Sequence, residues 1–233
     1  MRLKQNLILG ILIIILISSI LTINMFNILS VTKENNPEFG REIKVDNPNL
    51  NIEENSALKV VLDISNSMWG EVDGKKKITI SKELLIDICN QLPTNVYLGL
   101  RSFGNQSTQD KNSFLALELA QNNNQQVIDY LDTIKPAGKS PIGLNLSLAQ
   151  KDLEDFSGQK HILLITDGKD TGKIMPTKII KKANQKNIKT HVIQVGQLDK
   201  IKQLKLKNLA ELGNGKYFTY FEEQQVVPTI NLE

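Results

Sequence analysis

Short apolar runs alternate with segments of helical period along most of the chain, and this alternation limits the fold more than any other feature of the sequence. The runs in residues 58–64 (LKVVLDI) and 161–166 (HILLIT) are shorter than most helices and rich in aliphatic side chains, which favours buried strands. Strands that alternate with helices form mostly parallel sheets, because a helix must carry the chain back before the next strand begins. The pattern therefore predicts an α/β fold in which a doubly wound, mostly parallel sheet is flanked by helices.

The individual elements follow from the same two periods. Pro93 ends the first helical segment, and Gly158 follows a later one. The predicted strands are residues 58–64, 96–103, 114–119, 161–166, 190–195 and 216–220. The predicted helices are residues 80–92, 127–134, 142–153 and 177–186, with a last helix that runs through Ile201, Leu204, Leu209 and Leu212.

The first thirty residues differ from the rest of the chain because residues 7–23 are almost wholly aliphatic. A helix needs roughly 20 apolar residues to cross a bilayer and a signal-peptide core is shorter, so residues 1–30 are expected to be a retained transmembrane anchor. Arg2 and Lys4 precede the apolar span, and no basic residue follows it before Lys33. The positive-inside rule then places the N-terminus in the cytoplasm and the remainder of the chain outside it, with the protein a single-pass membrane protein.

Three further regions follow the expected anchor. Residues 31–56 are rich in Asn, Glu and Pro without an apolar period, which predicts a flexible linker. Residues 57–225 have room for one globular domain with a sizeable core. Residues 226–233 form a short C-terminal tail that contains Pro228.

Composition excludes several classes of partner and site. The net charge is only +3, from 28 basic and 25 acidic residues, and aromatic residues make up 5% of the chain, so a nucleic-acid partner is not expected. Cys89 is the sole cysteine, which rules out an intramolecular disulfide and a zinc site built from cysteines. Its neighbours Leu85, Ile86 and Ile88 predict that this thiol is buried.

Oxygen-bearing side chains stand at the carboxyl ends of two predicted strands. Asp63, Ser65 and Ser67 form a D-x-S-x-S run after the first strand, where a period of two would direct all three side chains the same way. Asp167 follows the run HILLIT within a Thr-Asp-Gly sequence. Open α/β sheets bind ligands beyond the carboxyl ends of their strands, and oxygen ligands suit a hard cation such as Mg²⁺.

Each motif alone has a structural alternative. A D-x-S-x-S run can be a strand-to-helix turn in which Asp and Ser cap the helix, and Thr-Asp-Gly can be an ordinary turn. Their joint placement after two apolar strands favours a shared site over two unrelated turns.

Three segments together resemble one protein family. DISNSMWG (residues 63–70), KPAGKSPIGLNLSLAQKDL (residues 135–153) and HILLITDGKD (residues 161–170) are similar, in that order, to the three loops of the metal-ion-dependent adhesion site of von Willebrand factor A (VWA) domains. The resemblance is closest to bacterial members with D-x-S-x-S-M-W-G, and it extends from about residue 58 to residue 220. It implies a domain that binds a divalent cation and uses it for protein–protein interaction or adhesion, which the expected N-terminal anchor would hold at a membrane.

The resemblance also implies roles for individual residues. The implied cation is Mg²⁺, or else Mn²⁺ or Ca²⁺, and Ser65 and Ser67 would bind it directly. Asp63 and Asp167 would act largely through water, and Ser140 fills the position usually held by Thr. A protein partner would complete the coordination with the carboxylate of an Asp or Glu residue.

The chain departs from the family's motif at two positions, and two further residues are candidates for contact with a partner. Ser140 lacks the methyl group that stiffens Thr, and Asn66 stands where Gly is commoner, although Asn tolerates positive φ better than most residues. Trp69 and Asp170 are candidates for a partner-binding rim. Packing of Trp69 and a solvated turn at Asp170 are the alternatives.

A magnesium-dependent hydrolase or phosphatase with Asp63 as its nucleophile is the rival hypothesis. Such an enzyme of the haloacid dehalogenase type needs a second acid two residues after the nucleophile, where this chain has Ser65. His161 and His191 are the chain's histidines, and both begin predicted strands, roughly 16 Å from the carboxyl ends where the cation would lie. General bases are therefore missing, and the sequence favours a binding module with no catalytic residues over an enzyme.

Overall fold

The computed structural model describes residues 55–104 and 113–220. The expected anchor (residues 1–30), nearly all of the expected linker (residues 31–56) and the tail (residues 226–233) lie outside these described residues. Within the described residues, no helix has both the length and the apolar character that crossing a membrane requires.

Residues 55–104 and 113–220 form eight strands, six of them in one central sheet. They are β1 (Ala57–Asp63), β2 (Glu71–Val72), β3 (Lys75–Lys76), β4 (Tyr97–Phe103), β5 (Phe114–Ala120), β6 (Lys160–Thr166), β7 (Ile188–Val195) and β8 (Tyr217–Tyr220). The central sheet has the order β5-β4-β1-β6-β7-β8, while β2 and β3 pair separately as an antiparallel hairpin. Only β5 runs antiparallel to its neighbour in the central sheet, which confirms the predicted mostly parallel arrangement.

Helices cover both faces of the sheet because each buried strand directs alternate side chains to opposite sides. The helices are α1 (Lys77–Gln91), α2 (Asn124–Thr133), α3 (Ile142–Asp152), α4 (Pro176–Gln185) and α5 (Lys200–Leu212). One core contains residues of α1 and α2 together with Leu58, Val60 and Leu62 of β1. The other contains residues of α3, α4 and α5 together with Val61. The doubly wound α/β fold is thus confirmed.

β1 is buried along its whole length even though it contains Lys59, whose side chain is fully buried. The Lys59 Nζ atom donates to the carbonyl oxygen of Leu117 at 3.0 Å and lies 3.2 Å from the Asp152 carboxylate. Arg101 also forms two hydrogen bonds with Asp152, so these charges are paired rather than isolated. This network explains how a lysine is accommodated in the central strand.

The structure corrects how the serines are directed. β1 ends at Asp63, and Ser65 precedes a short 3-10 helix formed by Asn66–Trp69. A turn, and not the period of a strand, therefore places Ser65 and Ser67. The hairpin formed by β2 and β3 comes next, in a segment for which the sequence predicted no strand.

The structure also corrects the apolar side of α5. Leu206, Leu209 and Ala210 are its buried residues, whereas Ile201 and Leu204 are 68% and 54% exposed. The first two turns of α5 therefore present apolar side chains to solvent. Cys89 is fully buried, as predicted.

Candidate metal centre

The three polar segments meet at the carboxyl-terminal edge of the sheet. β1 and β6 are adjacent parallel strands in which Leu62 pairs with Ile165, so Asp63 and Thr166 end neighbouring strands at the same level. The segment before Ser140 joins them, because the backbone nitrogen of Ala137 donates to the carbonyl oxygen of Ile64 at 2.9 Å. The topology therefore brings together segments that are far apart in sequence.

Gly104 permits this close approach of the loops. Its φ is +101°, and a Cβ atom there would lie 2.5 Å from the Cα of Ser65 and 2.7 Å from the carbonyl oxygen of Ala137. Any side chain would force apart the backbone segments before Ser67 and Ser140. A glycine at the end of β4 is thus part of the framework of the site.

Asp63 is at the centre of the hydrogen bonds. Its side chain is fully buried, and Oδ1 accepts from the backbone nitrogen of Ser65 at 2.9 Å. Oδ2 accepts from the hydroxyls of Ser140 at 3.0 Å and Thr166 at 2.6 Å. Burial raises the pKa of Asp63 to about 6, although hydrogen bonds from Ser65 and Thr166 oppose the rise. A negative charge at this position is therefore poorly solvated, a condition that a neighbouring cation relieves.

Asp167 is linked to the two serines of the first loop. The Oγ atoms of Ser65 and Ser67 lie 3.1 Å apart, and Ser67 donates to Asp167 Oδ1 at 3.1 Å. Asp167 is only 3% exposed, and the negative charge of this residue contributes to the raised pKa of Asp63. Its other oxygen, Oδ2, accepts from Lys77 Nζ at 2.9 Å.

All five predicted ligand residues are brought together by the structure: Asp63, Ser65, Ser67, Ser140 and Asp167. The capping alternative fits only in part. Ser65 stands at the N-cap of the 3-10 helix, but its side chain makes no capping hydrogen bond. Asn66 lies within that helix and does not have positive φ, so the tolerance of Asn for that conformation is not used.

The two candidate rim residues have defined contacts. Trp69 is 43% exposed, and its Nε1 atom donates to the carbonyl oxygen of Pro136 at 2.8 Å, which fixes the ring beside the second loop. Asp170 is exposed, but its Oδ1 atom accepts from the backbone nitrogens of Gly172 at 2.8 Å and Ile142 at 3.3 Å. Asp170 thus stabilises its own loop against the start of α3.

Two side chains of this cluster, Thr166 and Lys77, were not predicted from the sequence. Thr166 could have been found, because it ends the strand beside β1 and its hydroxyl stands level with Asp63. Lys77 carried no such signal, since its approach to Asp167 depends on the unpredicted hairpin between the 3-10 helix and α1.

The donor set fits a hard divalent cation. Every side-chain group in the cluster except the Lys77 ammonium offers oxygen, and oxygen ligands are those that Mg²⁺ and Ca²⁺ prefer. No group of three or more His, Cys, Asp and Glu side chains within residues 55–104 and 113–220 is placed to hold a metal. A cation at this edge would therefore depend on the serine hydroxyls as well as on the two carboxylates.

The two histidines lie in a different part of the sheet. His161 and His191 are buried near the amino-terminal halves of β6 and β7, and His161 Nδ1 lies 3.1 Å from His191 Nε2. Burial lowers the pKa of His161 to about 4 and that of His191 to about 3. Neither imidazole makes a hydrogen bond with Asp63 or Asp167.

A mostly parallel sheet with this loop arrangement at its carboxyl edge is the architecture of von Willebrand factor A domains. The family described as von Willebrand factor type A domain matches residues 58–231, about three quarters of the chain. The chain belongs to this family. It is 30% identical over 178 residues to the uncharacterized protein YwmC of Bacillus subtilis (strain 168), an alignment that covers 72% of this chain and 78% of YwmC.

Solved structures share the fold at lower identity. An aerotolerance-related membrane protein from Bacteroides fragilis NCTC 9343 superposes with a TM-score of 0.61 at 19% identity, over 72% of this chain and 92% of that one. The manganese-loaded TRAP protein of Plasmodium vivax superposes with a TM-score of 0.54 at 19% identity, over 74% of this chain and 71% of that one. At these identities the comparisons describe the fold and not the ligand or partner of this chain.

Proposed function

We propose that this chain binds a divalent cation at the carboxyl-terminal edge of its sheet and uses that site to bind a protein partner. The observation that carries the proposal is the environment of Asp63. This carboxylate is fully buried, and burial raises its pKa to about 6, yet its hydrogen-bond partners come from three separate segments of the chain, two loops and the end of β6. Such a costly arrangement supports a functional role better than a role in packing.

The proposed ligands divide into two groups by chemistry. The hydroxyls of Ser65, Ser67 and Ser140 would bind the cation directly, while Asp63 and Asp167 would hold it largely through water. A bound Mg²⁺, or else Mn²⁺ or Ca²⁺, would supply positive charge that is only partly neutralised by this set. An Asp or Glu carboxylate of a partner is the group that best completes it. The manganese-loaded structure of TRAP is a precedent for a cation in a protein of this fold.

The surface around the site supports a protein as the partner. Five large apolar side chains are exposed among the described residues: Trp69, Ile174, Met175, Ile201 and Leu204. Each lies on a segment that follows the carboxyl end of β1, β6 or β7, which is the end of the sheet where the proposed site lies. Exposed apolar side chains concentrated at one edge are typical of interfaces with other proteins.

The geometry does not favour the magnesium-dependent hydrolase. Both oxygens of Asp63 accept hydrogen bonds and the side chain is fully buried, so a nucleophilic attack from this position has no approach. His161 and His191 bind each other in the opposite half of the sheet and are not placed to act as general bases. Binding without catalysis therefore explains this cluster better.

We further propose that residues 1–30 anchor the domain in a membrane, with the domain on the extracytoplasmic side. Arg2 and Lys4 before the apolar span are the support for this orientation. External protease added to spheroplasts should cleave the linker at residues 31–56. Complete protection of folded, membrane-bound protein would show that the orientation is reversed.

Partner capture with and without chelator tests the function. The full-length chain is used as bait in millimolar Mg²⁺ or in EDTA, next to the Asp167→Ala and His161→Gln variants. Proteins that bind through the site should be captured by the wild type and by His161→Gln in Mg²⁺ alone, and by Asp167→Ala in neither condition. Capture that survives both EDTA and Asp167→Ala would contradict the proposal.

A further inference from the structure

We propose that Lys77 is a built-in counter-ion of the site, which holds Asp167 in place without metal and lowers the affinity for a divalent cation. The inference rests on the function proposed above. The Lys77 ammonium lies 2.9 Å from Asp167 Oδ2, and both side chains are largely shielded from water, with exposures of 17% and 3%. The ammonium is thus a fixed positive charge inside a site that attracts positive charge.

The position of Lys77 is determined by the backbone around it. Lys77 begins α1, and its backbone nitrogen donates to the carbonyl oxygen of Gly70 at 2.9 Å. A Cβ atom on Gly196 would lie 2.9 Å from Lys77 Cε, and one on Gly70 would lie 3.5 Å from it. The lysine stem therefore passes beside two residues that have no side chain, and it is directed at Asp167.

Another lysine of the same segment shows the contrast. Lys75 forms an ion pair with Glu83 on the surface, where the two side chains are 42% and 50% exposed. Such exposed pairs are screened by water and contribute little. The pair formed by Lys77 and Asp167 is shielded, so its charges act strongly on anything bound nearby.

The two oxygens of Asp167 have different partners, and this difference defines the competition. Oδ1 accepts from Ser67, a proposed ligand, while Oδ2 accepts from Lys77. The positive charge of Lys77 offsets the negative charge of Asp167 and also repels a divalent cation. Removal of this charge should therefore tighten cation binding by about tenfold or more.

The same contact has the opposite effect in the absence of metal. A carboxylate that is 3% exposed is unfavourable unless a positive charge or hydrogen bonds accompany it. Lys77 supplies that charge, so its loss should lower the melting temperature of the protein in chelator. The rise in melting temperature on addition of metal should then be larger than for the wild type.

Calorimetric titration of the full-length chain in mild detergent with Mg²⁺ and Mn²⁺ tests the proposal. Lys77→Met removes the charge and keeps most of the stem, Lys77→Gln is a second neutral variant, and Lys77→Arg retains the charge. Lys75→Met is the matched control, because it removes an equal charge from a neighbouring position that makes no contact with Asp167. The neutral variants at position 77 should bind about tenfold more tightly, and the other two within about twofold of the wild type.

The outcomes separate this inference from the proposed function. A wild type that binds metal, with equal or weaker binding by both Lys77→Met and Lys77→Gln, would overturn the counter-ion role and leave the metal site intact. Equal tightening in Lys75→Met would also overturn it, since the effect would then come from net charge alone. Absence of metal binding by the wild type and all variants would overturn both proposals.

Discussion

Two groups of buried titratable side chains occupy opposite halves of the same sheet, and burial acts on them in opposite senses. At the carboxyl-terminal edge, burial raises the pKa of Asp63 to about 6. In the amino-terminal half, burial lowers the pKa of His161 to about 4 and that of His191 to about 3. In both cases the charged form is disfavoured, but only the carboxylate is charged at neutral pH and would gain from a cation.

The hydrogen bonds of the histidine pair make it unsuited to hold a metal ion. His191 Nδ1 accepts from the backbone nitrogen of Lys216 at 3.1 Å, so its hydrogen is on Nε2, which then donates to His161 Nδ1. The hydrogen of His161 is therefore on Nε2, a buried atom without a hydrogen-bond partner among the described residues. Neutral imidazoles in this arrangement have no free lone pair, whereas the hydroxyls around Asp63 can rotate toward a cation.

The largest expected effect is loss of metal binding in Asp63→Asn. The variant keeps the shape of the side chain and removes the charge at the centre of the cluster, so we expect the affinity for Mg²⁺ to fall by about 10- to 100-fold. Calorimetric titration of the full-length chain measures it. His161→Gln is the control, because that residue is buried in the other half of the sheet and should leave the affinity unchanged. Equal losses in both variants would mean that the comparison between the two groups is wrong.

The second expected effect is opposite responses of the two groups to acid in the presence of chelator. The folded-state pKa values of the histidines lie below the unfolded value of 6.5, so the unfolded state binds more protons as the pH falls. Stability from this pair is present above about pH 6.5 and is lost toward pH 4. The folded-state pKa of Asp63, about 6, lies above its model value of 3.8, so acid relieves the cost of its burial in the same window.

The variants separate these two contributions. We expect the free energy of unfolding of the wild type to fall by about 2 kcal/mol between about pH 6.5 and pH 5, because Asp63 offsets part of the histidine loss. Asp63→Asn should show a steeper fall of about 3 kcal/mol, and His161→Gln combined with His191→Gln should show no fall. Denaturant unfolding at each pH gives the values. A wild type steeper than Asp63→Asn would contradict the raised pKa of Asp63.

The third expected effect is stabilisation by the cation. A ligand at ten times its Kd stabilises the folded state by about 1.4 kcal/mol, which corresponds to a rise in melting temperature of roughly 3 to 6 °C for a domain of this size. Thermal unfolding at pH 7.5 in EDTA and in Mg²⁺ measures the rise. It should be retained in His161→Gln and absent in Asp63→Asn. An unchanged melting temperature of the wild type at millimolar Mg²⁺ would remove the support for metal binding.

The arrangement of residues at the carboxyl-terminal edge could be predicted from the sequence, whereas the contact between the two histidines could not. Parallel strands end at one edge of a sheet. The alternation of strands and helices was therefore sufficient to predict that Asp63 and Asp167 lie at the same edge. The pairing of the histidines depends on register, because His191 stands beside Leu163 and not beside His161. The register between two neighbouring strands cannot be derived from apolar periods. The end of a strand, in contrast, is marked in the sequence by the polar residue that follows it.

Neither the contact of Lys77 with Asp167 nor the buried face of α5 could be derived from apolar periods. Lys77 reaches Asp167 through a hairpin whose turn uses Asp73 and Gly74, both with positive φ, and such a short pair of strands has no apolar alternation to reveal it. For α5, apolar spacing alone did not distinguish the buried Leu206 from the exposed Leu204, since both fit a helical period. Apolar residues that remain exposed, such as Leu204, are where periodic patterns are expected to mislead.

The smallest expected effect is a few-fold tightening of metal binding in Ser140→Thr. Ser140 is 2% exposed, its hydroxyl donates to Asp63 Oδ2 at 3.0 Å, and its backbone nitrogen donates to the Thr171 hydroxyl at 2.9 Å. The backbone is thus fixed, and only rotation about χ1 remains to be restricted. A second substituent on Cβ reduces the number of populated rotamers without removing the oxygen, so less entropy is lost when the hydroxyl binds a cation.

Titration of Ser140→Thr with Mg²⁺ beside Ser140→Ala and the wild type measures this effect. The alanine variant should bind more weakly, because one oxygen is lost and Asp63 loses a hydrogen bond. Tighter binding by threonine together with weaker binding by alanine would identify Ser140 as a ligand that is held less rigidly than it could be. Weaker binding by the threonine variant, together with a lower melting temperature in EDTA, would mean that the added methyl group clashes with its buried surroundings. The space around residue 140 would then limit the affinity for the cation. Unchanged binding in both variants would remove Ser140 from the ligand set, leaving the cation to the D-x-S-x-S loop and Asp167.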